Sequence, residues 1–576
     1  QTGLRQGYCL VLDSGEGRLI MELARQSSLH VIGLERDPEK VRRARETLDA
    51  AGLYGLRAAV KEWDGETLPF TSWFANLVVS EGILREGAIP PAAGEIYRVL
   101  RPYGGTAMIG APKTTPSQIN PDVLRAWLDA GDIDDSTLTE KDGIWARFSR
   151  GAVPGAGEWT QLYADASHTA CSMDEIQGPL TVQWFGEPGP RDMIDRHHRP
   201  TSSLFKEGRL FVPGNDVVFA LDAYNGALLW TNEAPGFRRV GVMKSSGTML
   251  LTDDLLYVLL NDRCVGMRVD NGEITVTLDA PRADDEAVDW GYLNVMDHLL
   301  IGTAQKPEAA FRDMSKMLVN MLEGDFRPVV MSRYLFAMDR HSGAEAWRYV
   351  NGAIMTPAIT MADGRVYFVE CRKPRVIEDR DGRIGLKQFL DSDTFLVALD
   401  VTTGEKQWER PVSYPFHHIM FANAAKDVLL LSGSYNEDED RLFYGLFAYD
   451  LKTGAPLWQS PFRAKDIRGT GWSGQGGSHG EQWQHPVLVG DTIYARPFAF
   501  NLHTGEQLDY IAYRGGHGCD GLTGSLHYLY GRGSNPRMYP LDVTSTDVIH
   551  ITRVSSPGFW LNIIPAGGMI LIPESS

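Results

Sequence analysis

The sequence lacks several features that would point to common protein classes. It contains no uninterrupted run of eighteen or more apolar residues, so nothing in it predicts a membrane span. It has five cysteines in 576 residues, none adjacent and none spaced Cys-x-x-Cys, which indicates neither a disulfide framework nor a zinc site. Positive charge is in deficit, with 56 Lys and Arg against 74 Asp and Glu and a formal net charge of -18. A general nucleic-acid-binding protein needs clustered cations, and we therefore expect no nucleic-acid partner.

One phrase recurs through the C-terminal two thirds of the chain. It consists of two apolar residues, Asp, a short polar turn ending in Gly, and then Trp eight residues after the Asp. The clear copies are centred on Asp222, Asp339, Asp400 and Asp450, and weaker ones on Asp270, Asn501 and Asp542. Consecutive copies lie 41 to 69 residues apart, which is the spacing of four-stranded blades with insertions in the longer steps.

Each copy predicts a hairpin. The Asp side chain caps a tight turn, Gly supplies a positive φ, and the second strand ends in Trp. A single hairpin cannot bury its own apolar face, so the copies must stack around a common axis, and we predict a β-propeller. Residues 180–185 before the copies and 568–573 after them are interpreted as the two halves of a closing blade, which favours eight blades over the alternative of seven.

The repeated phrase, Ala-x-Asp-x-x-x-Gly-x-x-x-Trp, resembles the blade sequence of the pyrroloquinoline-quinone-like (PQQ-like) propellers over residues 158–576. Quinone-dependent dehydrogenases of this fold resemble one another in a pair of adjacent cysteines and an acidic calcium site. No two of the cysteines are adjacent here, at Cys9, Cys171, Cys264, Cys371 and Cys519. The resemblance therefore implies the fold, and we expect PQQ not to be a cofactor.

Residues 8–110 follow another pattern, in which strands alternate with helices. This predicts a doubly wound, Rossmann-like parallel sheet. The first strand leads into Asp13-Ser-Gly15-Glu-Gly17, where glycines allow the backbone to approach a ligand at a helix N-terminus. The second strand ends in Glu35, from which a carboxylate can accept hydrogen bonds from ribose hydroxyls. The dinucleotide fingerprint Gly-x-Gly-x-x-Gly is excluded, because its third glycine would fall at Ile20.

This arrangement resembles the class I S-adenosylmethionine-dependent methyltransferases. The resemblance is carried by residues 13–17, 35–46, 64–70, 76–80 and 95–105. It implies S-adenosylmethionine as a cofactor, held by Asp13, Gly15, Gly17, Glu35 and Asp64.

The chain departs from the methyltransferase pattern at two positions. A third glycine is usual where this chain has Leu19, and Asp is usual where it has Asn76. No catalytic base or substrate loop is identified between Ser80 and Pro91. An active enzyme and an inactive packing or binding module therefore both stay open.

These patterns predict three regions: a methyltransferase-like domain at 1–110, a bridge at 111–157 and the propeller at 158–576. The bridge combines a helix capped by Asn120, a hairpin around Asp142-Gly143 that is a candidate for the last strands of the sheet, and a glycine-rich linker. Neither terminus has the features of a natural end, so we expect further sequence on both sides.

Together the two parts resemble multidomain proteins of planctomycetes and related bacteria that join a methyltransferase-like module to a quinoprotein-like propeller. This resemblance is carried by residues 155–160, 184–190, 222–226 and 479–486. It implies export, so we expect an extracytoplasmic (periplasmic) location, with the cytoplasm as the alternative. It implies no agreed biochemical activity.

Histidine-rich polar loops lie between the repeats, and loops on one face of a propeller converge on its axis. The candidates for such a site are Asp195, Arg196, His197, His198, His479, Glu481, Gln482, His485, Arg514, His517 and Cys519. These groups suit proton transfer or a transition metal, but they can equally satisfy one another and the loop backbone, and we assign no metal. Their Arg and His content favours an anionic or polyhydroxylated small molecule or a glycan, and other protein subunits are a second class of partner.

Three functions from different classes follow. The first is an exported propeller-based binding or scaffold protein whose methyltransferase-like domain is inactive. The second is an active S-adenosylmethionine-dependent methyltransferase whose propeller presents the substrate. The third is an oxidoreductase that uses a quinone or metal in the propeller.

Overall fold

The structure is a computed structural model. It describes residues 2–115, 119–186, 188–189, 191–194, 200–237, 239, 244–310, 329–438, 441–463, 485–512, 521–533, 535–542, 548–553, 555, 557, 560 and 563–573.

The N-terminal part is a seven-stranded sheet with the strand order β3-β2-β1-β4-β5-β7-β6. Strands β1 to β5 are parallel, and β7 runs antiparallel to both of its neighbours. The strands are β1 Tyr8–Leu12, β2 His30–Glu35, β3 Ala58–Glu62, β4 Leu77–Ser80, β5 Thr106–Pro112, β6 Ser136–Thr139 and β7 Gly143–Ser149. The helices are α1 Arg18–Gln26, α2 Pro38–Ala50, α3 Glu81–Glu86, α4 Ala93–Val99 and α5 Pro121–Asp129. The predicted Rossmann-like fold is confirmed.

This sheet continues beyond residue 110, where the sequence analysis placed the domain boundary. Helix α5 begins after Asn120, whose side chain accepts a hydrogen bond from the Asp122 amide. The β6–β7 hairpin joins the sheet by pairing β7 with the full length of β5. The strands approach so closely that a Cβ on Gly110 would lie 2.0 Å from the carbonyl oxygen of Ile144. Most of the segment assigned to a bridge is therefore part of the α/β unit.

The C-terminal part consists of antiparallel units that follow one another along the chain. The described strands form seven four-stranded units and one two-stranded unit, and the third and fourth units share a sheet. Units 1 to 3 are β8 Leu204–Lys206, β9 Arg209–Pro213, β10 Val217–Asp222, β11 Leu228–Glu233; β12 Met249–Leu251, β13 Leu255–Leu260, β14 Arg263–Arg268, β15 Ile274–Asp279; and β16 Asp289–Met296, β17 Leu299–Gln305, β18 Val329–Asp339, β19 Glu345–Tyr349.

The fourth unit contains two short helices and an extra strand. Its elements are β20 Ala353–Ala362, β21 Arg365–Cys371, α6 Pro374–Ile377, β22 Arg383–Ile384, α7 Leu386–Phe389, β23 Thr394–Asp400 and β24 Lys406–Pro411. Units 5 to 8 are β25 Ile419–Ala425, β26 Val428–Asp438, β27 Arg441–Asp450, β28 Pro456–Phe462; β29 Val487–Val489, β30 Thr492–Ala495, β31 Phe498–Asn501, β32 Gln507–Ile511; β33 Thr523–Gly524, β34 Tyr528–Arg532, β35 Pro536–Pro540, β36 Ile549–His550; and β37 Ile564–Ala566, β38 Met569–Leu571.

The repeated phrase forms the third and fourth strands of each unit and the contact with the next unit. Each clear copy has its Asp at the end of the third strand, and its Trp lies opposite an alanine of that strand. The indole N–H then donates to a backbone carbonyl of the following unit; in Trp408 it donates to Leu451 at 3.3 Å. The ring covers the glycine of the next copy, and a Cβ on Gly454 would lie 2.5 Å from the Trp408 ring. Turn and tryptophan therefore recur together because they connect neighbouring units.

Trp184 makes this same contact with the first unit, although it precedes all the copies. Its indole N–H donates to the Ala223 carbonyl at 2.7 Å, and a Cβ on Gly226 would lie 2.5 Å from its ring. Trp184 therefore stands where the fourth-strand tryptophan of the last unit, β37–β38, would stand. This supports the predicted closing blade, while the choice between eight and seven blades stays a prediction.

Trp184→Phe should lower the free energy of unfolding by about 1 kcal/mol, because it removes one partly buried hydrogen bond and keeps most of the ring. Trp347→Phe is the matched control, since Trp347 donates to Val401 at 2.8 Å between the third and fourth units. Urea denaturation of both variants checks the closing contact. If Trp184→Phe were neutral while Trp347→Phe was destabilising, Trp184 would not close the ring.

A single irregular segment, residues 157–174, crosses the axis of the propeller. We call it the axial segment. Neighbouring first strands contact one another, which places them innermost. The segment bonds to the first seven units in chain order and to the eighth through Gly157 and Asp174, at its two ends. Its backbone oxygens accept from Phe205, Leu251, Met361, Ala424, Leu488, Gly524 and Gly567, and Gln161 Nε2 donates to Asn294 in the third unit at 2.8 Å.

Asp174 fastens the ends of the axial segment. Its Oδ2 accepts from the amides of Gly157 and Gly568, each at 2.9 Å, and its side chain is completely buried. The start and the end of the segment are therefore held together beside the eighth unit.

The two parts of the chain meet through a buried polar cluster, which we call the docking cluster. Asn76, just before β4, donates from Nδ2 to Asp222 Oδ2 at 2.8 Å and accepts at Oδ1 from the Tyr8 amide and from Asn225 Nδ2, both at 2.8 Å. Arg101 Nε forms an ion pair with Asp222 Oδ2 at 3.0 Å. The turn of the first repeat is therefore fixed to the N-terminal ends of the parallel strands.

Aromatic contacts extend the docking cluster. Tyr224 packs against Trp73 with ring centroids 5.7 Å apart and against Tyr103 at 6.3 Å. Its hydroxyl donates to the carbonyl of Gly567 at 2.8 Å. Gly567 lies in the turn after β37, and its own amide donates to the axial segment. The α/β unit is thus attached at the end of the propeller where the axial segment lies.

No helix within the described ranges is both long enough and apolar enough to cross a membrane.

Candidate functional site

The chain turns sharply after β1, at the C-terminal edge of the parallel strands. Asp13, Gly15 and Gly17 all have positive φ, of 47°, 56° and 86°. Gly17 is the N-cap of α1, so the loop leads directly to the amides at the start of that helix. Glycine suits position 15 because its φ of 56° lies in the left-handed region, which glycine adopts without strain.

Glu35 holds this loop in place. Its Oε2 accepts from the Gly15 amide at 2.7 Å, and its Oε1 accepts from the amides of Arg36 and Asp37 at 3.0 and 3.1 Å. The side chain is buried. The structure therefore brings together four of the five residues predicted to hold the ligand, with Glu35 as the link between the loops after β1 and β2.

Asp64, the fifth predicted residue, lies on the next loop of the same edge. It is exposed, and its Oδ1 caps its own turn by accepting from the Glu66 amide at 2.9 Å. Arg36 lies between this loop and the first one: it forms an ion pair with Asp13 Oδ1 at 3.0 Å, and a Cβ on Gly65 would lie 2.9 Å from its Nε. A ligand spanning from Glu35 to Asp64 would have to pass Arg36, whose side chain is half exposed.

Glu81 was not identified from the sequence. It is the first residue of α3, directly after β4, and it is buried with its Oε2 lacking a hydrogen-bond partner. Burial raises its pKa to about 7, a rise that Arg85 partly opposes and Glu35 adds to. Such a carboxyl can change protonation state near neutral pH. The sequence signal that could have identified Glu81 is its position directly after the fourth parallel strand. That strand, β4, lies beside β1 in the sheet.

The site thus combines the carboxyl groups of Asp13 and Glu81 with the guanidinium groups of Arg36 and Arg85. Asp13 Oδ2 is also buried without a partner, and Arg85 donates to the Asp13 carbonyl at 3.4 Å. A buried acceptor without a donor is costly, so two of them at one edge favour a ligand that supplies donors or positive charge. Both arginine side chains are partly exposed and have space to move outward.

The propeller candidates lie mostly outside the described residues. Only His485 is described, and Asp195, Arg196, His197, His198, His479, Glu481, Gln482, Arg514, His517 and Cys519 are not. These ten precede the innermost strands β8, β29 and β33 in the sequence. Within the described part of the chain, no three His, Cys, Asp or Glu side chains are grouped so that they could hold a metal ion.

His485 is a buried group against the axial segment. Its ring stacks on Tyr163 with centroids 3.5 Å apart, and its Nε2 lies 3.2 Å from Asn423 Nδ2. Burial lowers the pKa of His485 well below its ordinary value and that of the neighbouring His168 to about 4. Both rings are therefore neutral at physiological pH and pack as part of the interior.

Two family models match separate parts of the chain. A methyltransferase domain family matches residues 10–104, and the family described as outer membrane protein assembly factor BamB matches residues 322–545. No curated protein matches the chain.

Solved structures similar to the chain fall into the same two groups. One is a SAM-dependent methyltransferase from Aquifex aeolicus, 17% identical over 26% of this chain and 85% of the other, with a TM-score of 0.22. BamB from Moraxella catarrhalis is 16% identical over 57% of this chain and 76% of its own, with a TM-score of 0.34. Quinohemoprotein alcohol dehydrogenase from Comamonas testosteroni is 12% identical over 71% and 75%, with a TM-score of 0.42. The chain therefore joins a methyltransferase-fold domain to a PQQ-like, BamB-type propeller region.

Proposed function

We propose that the N-terminal domain binds an S-adenosyl ligand at the C-terminal ends of β1, β2 and β4 and acts as a methyltransferase. The observation that carries this is the Glu35 carboxylate, which fixes the glycine loop through Gly15 and still has one lone pair, on Oε2, available for a ribose hydroxyl. The backbone at Gly15 and Gly17 would face the ligand, and Asp64 would meet the adenine amino group. S-adenosylmethionine, when bound, supplies a methyl group on a cationic sulfur.

Glu81 and Asp13 are the residues of this chain suited to the reacting end. Their partnerless oxygens favour positive charge. Glu81, with a pKa of about 7, is matched to accepting a proton from a methyl acceptor at neutral pH. This residue supplies the base that the sequence analysis did not identify.

The docking geometry bears on how a methyl acceptor arrives. The docking cluster lies at the start of β4, beside Asn76, whereas Glu81 follows its end. Four strand residues span about 13 Å, and the propeller is fixed at the far end. We therefore propose that the acceptor is a separate molecule and is not presented by the propeller of the same chain.

A second candidate function concerns the propeller. The axial segment binds the innermost strands at the docked end, which favours ligand access from the opposite face. This supports a binding or scaffold role toward anionic or polyhydroxylated molecules, glycans or protein subunits. An extracytoplasmic location, and an origin in the planctomycete-type group, belong to this proposal. Oxidation by a quinone or metal depends on residues outside the described ranges and stays a prediction.

Calorimetric titration with S-adenosylmethionine and S-adenosylhomocysteine tests the first proposal. We expect micromolar binding, weakened at least tenfold in Glu35→Gln, because a charge-assisted hydrogen bond is worth about 1.5–3 kcal/mol. Glu39→Gln is the control, since Glu39 lies on the exposed face of α2 and pairs with Arg42.

The same titration separates the two candidate functions. If the unmodified protein gave neither heat nor thermal stabilisation at millimolar ligand, the methyltransferase proposal would fail. The propeller would then carry the function.

A further inference from the structure

Helix α3 presents one face to the loop after β1. Gly82 and Arg85 are three residues apart in this helix and therefore lie on the same side of it. Asp13 packs against Gly82, because a Cβ on that glycine would lie 3.0 Å from Asp13 Oδ2. Arg85 lies over the glycine loop, because a Cβ on Gly15 would lie 3.1 Å from its guanidinium carbon. A carboxylate and a guanidinium therefore meet at one face of α3.

Both of these charged groups have capacity left for a ligand. Asp13 Oδ2 is buried without a hydrogen-bond partner, while Asp13 Oδ1 forms the ion pair with Arg36. Among the described residues, Arg85 donates to the Asp13 carbonyl at 3.4 Å and pairs with the exposed Glu86 at 3.6 Å, which are both long distances. The Arg85 side chain is 36% exposed, so a ligand can reach it from solvent.

The start of α1 is the other place at this edge where a negatively charged group of a ligand could bind, because the first amides of a helix have no partner within the helix. In this chain Glu81 lies there. The amide of Leu19, the second residue of α1, donates to the buried Glu81 carboxyl. A ligand carboxylate would be repelled by Glu81 at this position, and Arg85 is the cation available to it over the loop.

We propose that this face of α3 recognises the zwitterionic amino-acid end of the ligand, with Arg85 binding the carboxylate and Asp13 binding the ammonium group. The assignment rests on the proposed function, in which Glu35 holds the ribose of the same ligand. A guanidinium can donate two parallel hydrogen bonds to a carboxylate, and an ammonium group supplies the donor that Asp13 Oδ2 lacks. An α-amino acid carries both charges on one carbon, which matches two opposite charges at one helix face.

Arg85 is then a specificity-determining residue. It selects ligands that keep the carboxylate over ligands of the same shape that have lost it. Asp13 takes the ammonium group, which leaves Glu81 to face the sulfur.

Three ligands separate these contacts in calorimetric titrations of the whole protein. They are S-adenosylmethionine, decarboxylated S-adenosylmethionine, which lacks only the carboxylate, and 5′-methylthioadenosine, which lacks the amino-acid end. Arg85→Ala should weaken binding of S-adenosylmethionine by about tenfold or more and binding of the decarboxylated ligand by less than about twofold. Asp13→Asn should weaken both, because both carry the ammonium group, and should leave 5′-methylthioadenosine binding unchanged.

Arg18→Ala is the matched control. Arg18 is an exposed cation at the start of α1 that also acts on the charge of Glu81. Its removal should change each of the three affinities by less than about twofold, because exposed charges are screened by solvent and salt. Retained binding of 5′-methylthioadenosine by Arg85→Ala shows that this variant is folded.

Three results would overturn the role of Arg85 while the proposed function stands. They are equal affinity of the unmodified protein for S-adenosylmethionine and its decarboxylated form, an equal loss for both ligands in Arg85→Ala, and an equal loss of S-adenosylmethionine binding in Arg18→Ala. The last would show general electrostatic attraction. If none of the three ligands bound to the unmodified protein, the proposed function would fail, and the role of Arg85 with it.

Discussion

Asp222→Ala is expected to lower the free energy of unfolding by about 3–5 kcal/mol, because it leaves the partly buried guanidinium of Arg101 without its ion-pair partner and the buried amide of Asn76 without its acceptor. The Asp222 side chain is 1% exposed and Arg101 is 14% exposed. Its Oδ2 accepts from Asn76, while its Oδ1 caps the turn by accepting from the Tyr224 amide at 3.0 Å. The change therefore removes both the turn cap and the centre of the docking cluster.

Asp400→Ala is the matched control, since Asp400 occupies the same position in another copy of the repeat. Its Oδ1 accepts from Thr402 and Thr403 within its own turn, at 3.0 and 2.8 Å. Loss of the turn cap alone should cost about 1 kcal/mol. Urea denaturation gives the two values, and limited proteolysis of the linker at residues 151–157 reports loosening of the docked domains. Equal costs for the two variants would mean that the docking cluster adds no stability.

The docking cluster could have been suspected from two departures in the sequence. Asn76 departs from the aspartate usual in the methyltransferase pattern, and a carboxylate there would face Asp222. The first repeat reads Asp-Ala-Tyr-Asn-Gly where the other clear copies have Ser or Thr before the glycine. Asn225 uses its side chain to donate to Asn76 and to the Phe74 carbonyl. A single copy that departs from its repeat therefore marked a contact outside the repeat.

Local patterns predicted the fold well, because each is enforced by local chemistry. The glycine loop needs positive φ at Gly15 and Gly17, and the hairpins need Asp and Gly in their turns. The axial segment was not predicted, since residues 157–174 form no regular element and take their order from backbone bonds to the surrounding units. The role of Glu81 was not predicted either, because its burial depends on β4 lying beside β1. Only the order of the strands in the sheet determines that.

Glu81→Gln is expected to stabilise the protein by about 3 kcal/mol at pH 8 and by little at pH 5. The pKa of Glu81 rises from 4.5 to about 7 on folding, so the folded state binds the proton more tightly than the unfolded state. The stability contributed by this group is therefore full below pH 4.5 and is lost as the pH rises to 7. Glutamine mimics the protonated acid and removes that loss. Urea denaturation of both proteins at pH 5 and pH 8 measures the difference in their free energies of unfolding.

Glu86→Gln is the control, because Glu86 is exposed on the same helix and lies 3.6 Å from Arg85. It should change stability by less than about 0.5 kcal/mol at either pH. Arg85, Arg18 and Glu35 also act on Glu81, and all three are unchanged in both variants. If Glu81→Gln were as neutral as Glu86→Gln at pH 8, Glu81 would not be a buried acid of raised pKa.

The same titration should appear in ligand selectivity if the site holds an S-adenosyl group. Deprotonated Glu81 attracts the cationic sulfur of S-adenosylmethionine but not the neutral sulfur of S-adenosylhomocysteine. The ratio of their affinities should therefore rise several-fold in favour of S-adenosylmethionine between pH 6 and pH 8, since Glu81 titrates near pH 7. In Glu81→Gln the ratio should be flat. A stability effect with no change in selectivity would place Glu81 away from the sulfur, and would leave the methyl acceptor as the group that it faces.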